Sequence, residues 1–179
     1  MILKAMGEIE ISQKNDKKAE QAFREMIRIQ PASPLGYMQM GQLTMTRSAP
    51  REALQWLQQA MDRENGWQVA LPAMVDAYLV LGQPKSALAL AEGKARELPA
   101  SPLASFYLAQ TLVRQGDLAQ GEKAFLRCIE LSPYWLDPYG ALAEVYIKQG
   151  KIEEALSRLK ALYEKRPSVS TGLQAAILS

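Results

Sequence analysis

The sequence predicts an all-α protein built from a repeated pair of helices, and three observations support this fold class. First, apolar residues recur three and four positions apart, as at Ala19, Phe23 and Met26, which places them on one side of a helix. Second, prolines and glycines separate such stretches at intervals of about 16 to 18 residues, the length of a helix and a short turn. Third, the pentapeptide PASPL occurs at 31–35 and again at 99–103, a separation of 68 residues. A fixed spacing of this kind is typical of stacked supersecondary units.

Half of that separation is 34 residues, and the chain follows this period five times without insertion or deletion. In the second helix of each pair, a small residue is followed four positions later by a residue that is usually large and apolar. A third residue of this helix-helix contact, which we call the seam, follows three positions later, and a helix breaker follows five positions after that. The five rows are Ala19, Phe23, Met26, Pro31; Ala53, Leu57, Ala60, Asn65; Ala87, Ala91, Lys94, Pro99; Gly121, Phe125, Cys128, Pro133; and Ala155, Leu159, Leu162, Pro167. The third row departs most from the pattern, so we expect a looser seam there, with Lys94 reaching outward.

These positions resemble the tetratricopeptide repeat family, and the resemblance covers essentially the whole chain. It implies a right-handed α-solenoid of five 34-residue helix-turn-helix repeats plus the start of a sixth. The repeats are expected at about 1–33, 34–67, 68–101, 102–135 and 136–169, with a further helix beginning in 170–179. We expect 1–179 to form a single solenoid. A polar closing helix is not apparent, so we interpret the chain as part of a longer bacterial array.

The composition argues against several classes of function. The net charge is +2, with 21 Lys and Arg among 19 Asp and Glu, so the basic surface that nucleic acid requires is not expected. The chain has no histidine and one cysteine, Cys128, and it contains no phosphate-binding loop motif. We therefore predict no catalytic residue, no cofactor and no metal site. A membrane-spanning run is also not expected, and the compartment, cytoplasmic or periplasmic, stays open.

The resemblance further implies that the first helix of each pair lines a concave groove, with the second, fifth, ninth, twelfth and thirteenth positions facing it. The partner-binding residues that we predict from these positions are Leu35, Met38, Gln42, Met45, Val69, Asp76, Leu79, Leu103, Phe106, Gln110, Val113, Glu144 and Ile147. The set is largely apolar, with acids and amides at the ninth position. We expect it to bind an apolar peptide or helix of a partner protein, with a basic residue facing Asp76 or Glu144.

Three other interpretations stay open. The groove residues could be covered by neighbouring first helices and serve only as core. The chain could be a structural module that forms homo-oligomers through apolar surfaces at its uncapped ends. It could also be a helper segment of a larger multidomain protein, such as a bacterial exopolysaccharide assembly or secretion component.

Overall fold

The computed structural model describes residues 2–153, 155–157 and 160, and the regular secondary structure in this part of the chain is entirely α-helical. The helices with defined bounds are α1 (Ile2–Ser12), α2 (Asp16–Ile29), α3 (Pro34–Thr46), α4 (Pro50–Met61), α5 (Trp67–Val80), α6 (Pro84–Glu97), α7 (Pro102–Arg114), α8 (Leu118–Leu131) and α9 (Asp137–Lys148). The predicted all-α fold of repeated helix-turn-helix pairs is confirmed. The predictions for Leu159, Leu162, Pro167 and 170–179 lie outside the described residues.

Local sequence explains where several helices begin. Pro34 and Pro102 occupy the first helical position, where a missing N–H leaves no hydrogen bond unmade. The Ser101 hydroxyl accepts a hydrogen bond from the backbone N–H of Ala104 at 3.2 Å. The Asp117 carboxylate accepts one from the backbone N–H of Gln120 at 3.0 Å. These side chains satisfy N–H groups that the first turn of a helix leaves without partners.

The turn inside each helix pair has the same backbone conformation. A residue with positive φ occurs at Lys14 (60°), Ser48 (57°), Gly82 (68°), Gly116 (86°) and Gly150 (71°), each 34 residues after the last. A left-handed residue ends a helix, and glycine adopts this conformation without a steric penalty. The sequence revealed only the three glycines, because lysine and serine give no signal for this conformation.

The chain divides into two compact units, Met1–Leu90 and Ala91–Ser179, which we call unit 1 and unit 2. In unit 1, α1 packs on α2, α3 on α4, and α4 on α5. In unit 2, α7 packs on α8, and α8 on α9. The predicted single solenoid over the whole chain stays a prediction.

Small residues let the helices approach closely. In unit 1, a side chain at Gly7 would overlap the Phe23 ring, and a Cβ at Gly41 would lie 2.6 Å from Cγ of Leu57. In unit 2, the buried residues include Phe125, which lies two periods after Leu57 and fills the same seam position. The seam is therefore tight because the 34-residue period pairs a small residue with a large one.

The third repeat keeps a charged residue near its seam. The Lys94 side chain is 16% exposed, and its Nζ lies 2.7 Å from Oε2 of Glu97, which is largely exposed. The aliphatic part of the lysine is thus covered while its amine reaches an acidic partner at the surface.

Equivalent polar contacts join neighbouring repeats within each unit. In unit 1, Arg47 Nη1 donates to Glu20 Oε2 at 2.8 Å, and Arg47 Nε donates to Asp16 Oδ2 at 3.1 Å. The hydrogen bond from Arg47, followed by that from Arg24, lowers the pKa of Glu20. The equivalent glutamate in unit 2 is Glu122, and its carboxylate accepts bonds from two neutral groups. The donors are Tyr146 OH at 3.2 Å and Gln149 Nε2 at 3.3 Å.

Candidate functional site

Three helices of unit 2 surround a cavity of about 200 Å³. We call this cavity the unit 2 crevice. It is lined by Gln110, Val113 and Arg114 of α7, Phe125 of α8, and Ala141, Glu144 and Lys148 of α9. Its size is below the roughly 300–1,000 Å³ of small-molecule sites, so it suits one side chain better than a cofactor.

The floor of the unit 2 crevice is apolar and firmly supported. Phe125 is buried, and its ring meets the Phe106 ring edge-on with centroids 5.6 Å apart. Val113 lies close to the α8 backbone, because a Cβ at Gly121 would be only 2.5 Å from Val113 Cγ2. Because Gly121 has no Cβ, the branched side chain of Val113 packs directly against α8. The space of the crevice between α7, α8 and α9 then stays open.

The rim of the unit 2 crevice is polar. Gln110 is half-buried and carries an amide that can both donate and accept hydrogen bonds. Arg114, Glu144 and Lys148 are exposed, which gives the rim two positive charges and one negative charge. Because residues four apart lie on one face of a helix, Gln110 sits beside Arg114 and Glu144 beside Lys148.

The structure brings together three of the predicted groove residues, Gln110, Val113 and Glu144, in this crevice. Leu35, Gln42 and Ile147 are exposed on α3 and α9. The half-buried members of the set are Met38, Met45, Val69, Asp76, Leu79 and Leu103.

Phe106 requires a correction to the sequence interpretation. It is only 9% exposed, and its ring centroid lies 4.6 Å from that of Trp135 and 5.6 Å from that of Phe125. Phe106 therefore belongs to the core of unit 2 and supports the crevice floor instead of offering an exposed anchor. The fifth position of this repeat does not face an open groove, because Trp135, in the loop before α9, covers it.

Four residues of the crevice were missing from the predicted set. Phe125 was assigned only to the helix seam and Ala141 to no role, although both line the cavity. Arg114 and Lys148 occupy the thirteenth position of successive repeats but were not selected. Two basic residues 34 apart in the sequence are a signal that could have identified them.

The unit 2 crevice is lined by aliphatic, aromatic, amide and charged side chains. Its lining residues include no thiol and no hydroxyl group. Cys128 is buried in the unit 2 core, and burial raises the pKa of its thiol to about 12. Within 2–153, 155–157 and 160, no group of three or more histidine, cysteine or acidic residues is placed to hold a metal ion. The described helices also include none with the length and apolar character needed to cross a membrane.

The helix pairs and their 34-residue register define a class of helical repeat proteins. Two family models, both described as tetratricopeptide repeat, match residues 73–134 and 141–168, about half of the chain. The chain belongs to the tetratricopeptide repeat family. This repeat is typically a noncatalytic scaffold for protein-protein interaction.

Solved structures share the fold. TTC0263, described as a thermophilic TPR protein in Thermus thermophilus, is 17% identical with a TM-score of 0.65, over 99% of this chain and 98% of that chain. PilW, described as a type IV pilus biogenesis factor, is 20% identical with a TM-score of 0.64, over 99% and 81%. YrrB, described as a TPR protein with an unusual peptide-binding site, is 19% identical with a TM-score of 0.53, over 94% and 87%. The search of curated proteins returned no match.

Proposed function

We propose that this chain is a noncatalytic interaction scaffold that binds a peptide segment of a partner protein in the unit 2 crevice. The observation that carries the proposal is the combination of an open apolar floor, Val113 and Phe125, with a polar rim. Apolar burial supplies the affinity, and the rim orients the peptide. YrrB, which has the same fold, is described as having a peptide-binding site.

The crevice favours a peptide with one aliphatic side chain that enters the cavity. Gln110 is placed to bond the peptide backbone, since an amide matches both its N–H and its C=O. The rim carries both signs of charge, so Glu144 faces a basic residue while Arg114 and Lys148 face the acidic side of the same segment. The predicted unit 1 residues remain candidate contacts.

A display selection with random twelve-residue peptides tests the proposal. Peptides that bind the intact chain are synthesised, and their Kd is measured by fluorescence polarisation. Val113→Met should weaken binding by about tenfold or more, because the longer side chain enters the cavity. Val80→Met, the same change at an exposed residue of α5 outside the predicted set, is the matched control and should have little effect.

Salt dependence provides a second measurement on the same peptides. Because apolar burial carries most of the affinity, Kd should change little between low and high ionic strength. If Val113→Met leaves the Kd of the selected peptides unchanged, and if their affinity falls steeply as salt rises, another surface binds them.

A further inference from the structure

The turn between α4 and α5 contains the dipeptide Asn65-Gly66, which sets this turn apart from the equivalent turns. At the position of Asn65, the other four repeats have a proline, namely Pro31, Pro99, Pro133 and Pro167. Asn65 is exposed, and its φ of 56° lies in the left-handed region. Because glycine has no side chain, its backbone nitrogen can approach the side chain of a preceding asparagine without steric hindrance.

Three hydrogen bonds hold the backbone of this turn in the native structure. The Gly66 N–H donates to the Arg63 carbonyl at 2.9 Å. The Gly66 carbonyl accepts a bond from the Ala70 N–H at 3.0 Å, and the Asn65 carbonyl accepts one from the Gln68 N–H at 3.2 Å. Exposed turns open locally at a lower free energy than buried helices do. When the bond to Arg63 opens, the Gly66 nitrogen is free to react.

We propose that Asn65 is a site of spontaneous covalent modification, where the chain loses a side-chain amide and gains an aspartate or an isoaspartate. The Gly66 backbone nitrogen attacks Cγ of Asn65 and closes a cyclic imide. The side-chain nitrogen leaves as ammonia and takes up the proton that the Gly66 nitrogen gives up. A water molecule then opens the ring at either of its two carbonyl carbons. The net reaction consumes one water molecule and releases one ammonia molecule.

The two products have the same charge but different backbones. Opening at the backbone carbonyl gives isoaspartate, whose main chain continues to Gly66 through Cβ and Cγ and is therefore longer by one methylene group. The turn has little space for this longer chain, since a Cβ at Gly66 would overlap the backbone carbonyl oxygen of Ala60 at the end of α4. In the isoaspartate form, the start of α5 therefore has to move away from α4.

This displacement affects a core cluster of unit 1. Ala60 of α4 and Ala70 of α5 are fully buried and belong to one cluster with Tyr37 of α3. Ala70 lies one helical turn after Gly66, so a shift at the start of α5 separates it from its neighbours. Isoaspartate should therefore lower the stability of unit 1. The aspartate product keeps the normal backbone and places a negative charge beside the N-terminus of α5, where the helix dipole favours it.

Peptide mapping of the intact chain tests the modification site. The chain is kept at pH 8 for several weeks, and samples are digested with trypsin. Mass spectrometry follows the peptide 64–85, in which the reaction replaces NH₂ by OH. Asn15, the other asparagine of the chain, is an internal control because the side chain of Asp16 hinders attack by the Asp16 nitrogen. Asn65 should react faster than Asn15 by about tenfold or more.

Two further measurements complete this experiment. A sample that is digested without incubation corrects for reaction during digestion, and an isoaspartyl methyltransferase labels the isoaspartate product. Asn65 should also react faster in concentrated urea than in the native chain, because urea removes the bond between the Gly66 N–H and the Arg63 carbonyl. Equal rates in the two conditions would mean that the native turn does not restrain the reaction.

Thermal melts test the effect of the longer backbone. The isoaspartate form, isolated by ion exchange, should melt about 2–4 °C below Asn65→Asp, which carries the same charge on a normal backbone. Asn65→Gln is kept at pH 8 in parallel and should keep its melting temperature, since its longer side chain closes such a ring much more slowly. Circular dichroism verifies that both variants keep the helical fold.

Two results would overturn the proposal. The first is equally slow reaction at Asn65 and Asn15 in the native chain, which would mean that the turn protects Asn65 completely. The second is an isoaspartate form that melts together with Asn65→Asp, because the start of α5 would then have room for the longer backbone. Neither result bears on the unit 2 crevice, so this proposal and the proposed function are tested separately.

Discussion

The three helices that surround the unit 2 crevice have equivalents in unit 1, namely α3, α4 and α5, which carry different side chains. In unit 2, Val113 of α7 lies against Gly121 of α8 and leaves a cavity of about 200 Å³. The equivalent pair in unit 1 is Met45 of α3 and Ala53 of α4. Met45 packs against the cluster that contains Ala53, Leu57 and Met74. The two units thus differ here by one methyl group on the second helix and one longer side chain on the first.

The equivalent rim positions of the two units also differ in charge. The rim residues Arg114 and Lys148 of unit 2 correspond to Thr46 and Val80 in unit 1, and Val80 is an exposed apolar residue. The acidic residue is common to both units, because Glu144 corresponds to Asp76, so the unit 2 rim differs by its two positive charges. The two units therefore share this helical framework and differ in the side chains and charges that it carries.

The largest effect should appear in the chemistry of Cys128, which reports on unit 2 alone. Because burial raises the pKa of this thiol to about 12, its thiolate is scarce at pH 8. Labelling by a disulfide reagent should be slower by about a thousandfold or more in the native chain than in concentrated urea, because the thiol is both protonated and buried. Stopped-flow absorbance measures both rates, and rapid labelling of the native chain would mean that the unit 2 core opens readily.

Removing the crevice floor should cause the next largest effect. Phe125→Ala should lower the free energy of unfolding by about 3–5 kcal/mol, since it removes a buried ring that supports Phe106. Leu57→Ala at the equivalent position of unit 1 should cost about 2–5 kcal/mol. Urea denaturation followed by circular dichroism compares the two. A cost below about 1 kcal/mol for Phe125→Ala would contradict its assignment to the floor.

Converting the unit 2 pair into the unit 1 pair tests the explanation of the cavity. Gly121→Ala alone should cost about 1–3 kcal/mol, because its Cβ would meet Val113 Cγ2 at 2.5 Å. Gly121→Ala with Val113→Met recreates the unit 1 pair and removes that overlap, so the double variant should regain about 1 kcal/mol. Thermal melts of the two single variants and the double variant give the coupling. Strict additivity would mean that the two residues do not share the space.

The smallest effect concerns the polar contacts between repeats. The lowered pKa of Glu20 means that its ion pair stabilises unit 1 above the ordinary carboxyl pKa, and this stability is lost as the pH falls through the folded value. The pair is partly exposed, so the loss should be below about 1 kcal/mol. Unfolding free energies at pH 7 and pH 3 should differ less for Glu20→Gln than for the unaltered chain. Arg47→Met, which removes the first cause of the shift, should reduce the difference in the same way.

The sequence was sufficient for the helix pairs and their register. The 34-residue spacing of small and large residues at Ala19 and Phe23, or Gly121 and Phe125, directly reflects the packing of one helix on another. This is why the all-α repeat fold could be predicted without a structure. The left-handed turns at Lys14 and Ser48 could not be predicted from the sequence, because tertiary packing imposes a conformation that neither residue prefers.

The candidate site was only partly predictable for a different reason. Position in the repeat places Gln110, Val113 and Glu144 on the face that lines the unit 2 crevice, but it does not determine which side chains leave space between helices. That space depends on Gly121, which belongs to the seam pattern, and on Phe125 beneath it. Phe106 was misplaced because the covering residue, Trp135, lies in a loop whose path the period does not specify.

The left-handed residue in every helix pair also affects how such a gene can change. Since the chain reverses direction at residue 14, 48, 82, 116 or 150 in the same way, a duplicated 34-residue block would join its neighbours with the same turn and the same seam. A duplication of any other length would move the small residues out of register with the large residues that they pack against. Lengthening in whole blocks is therefore the tolerated route, and each new block would be free to acquire its own crevice chemistry.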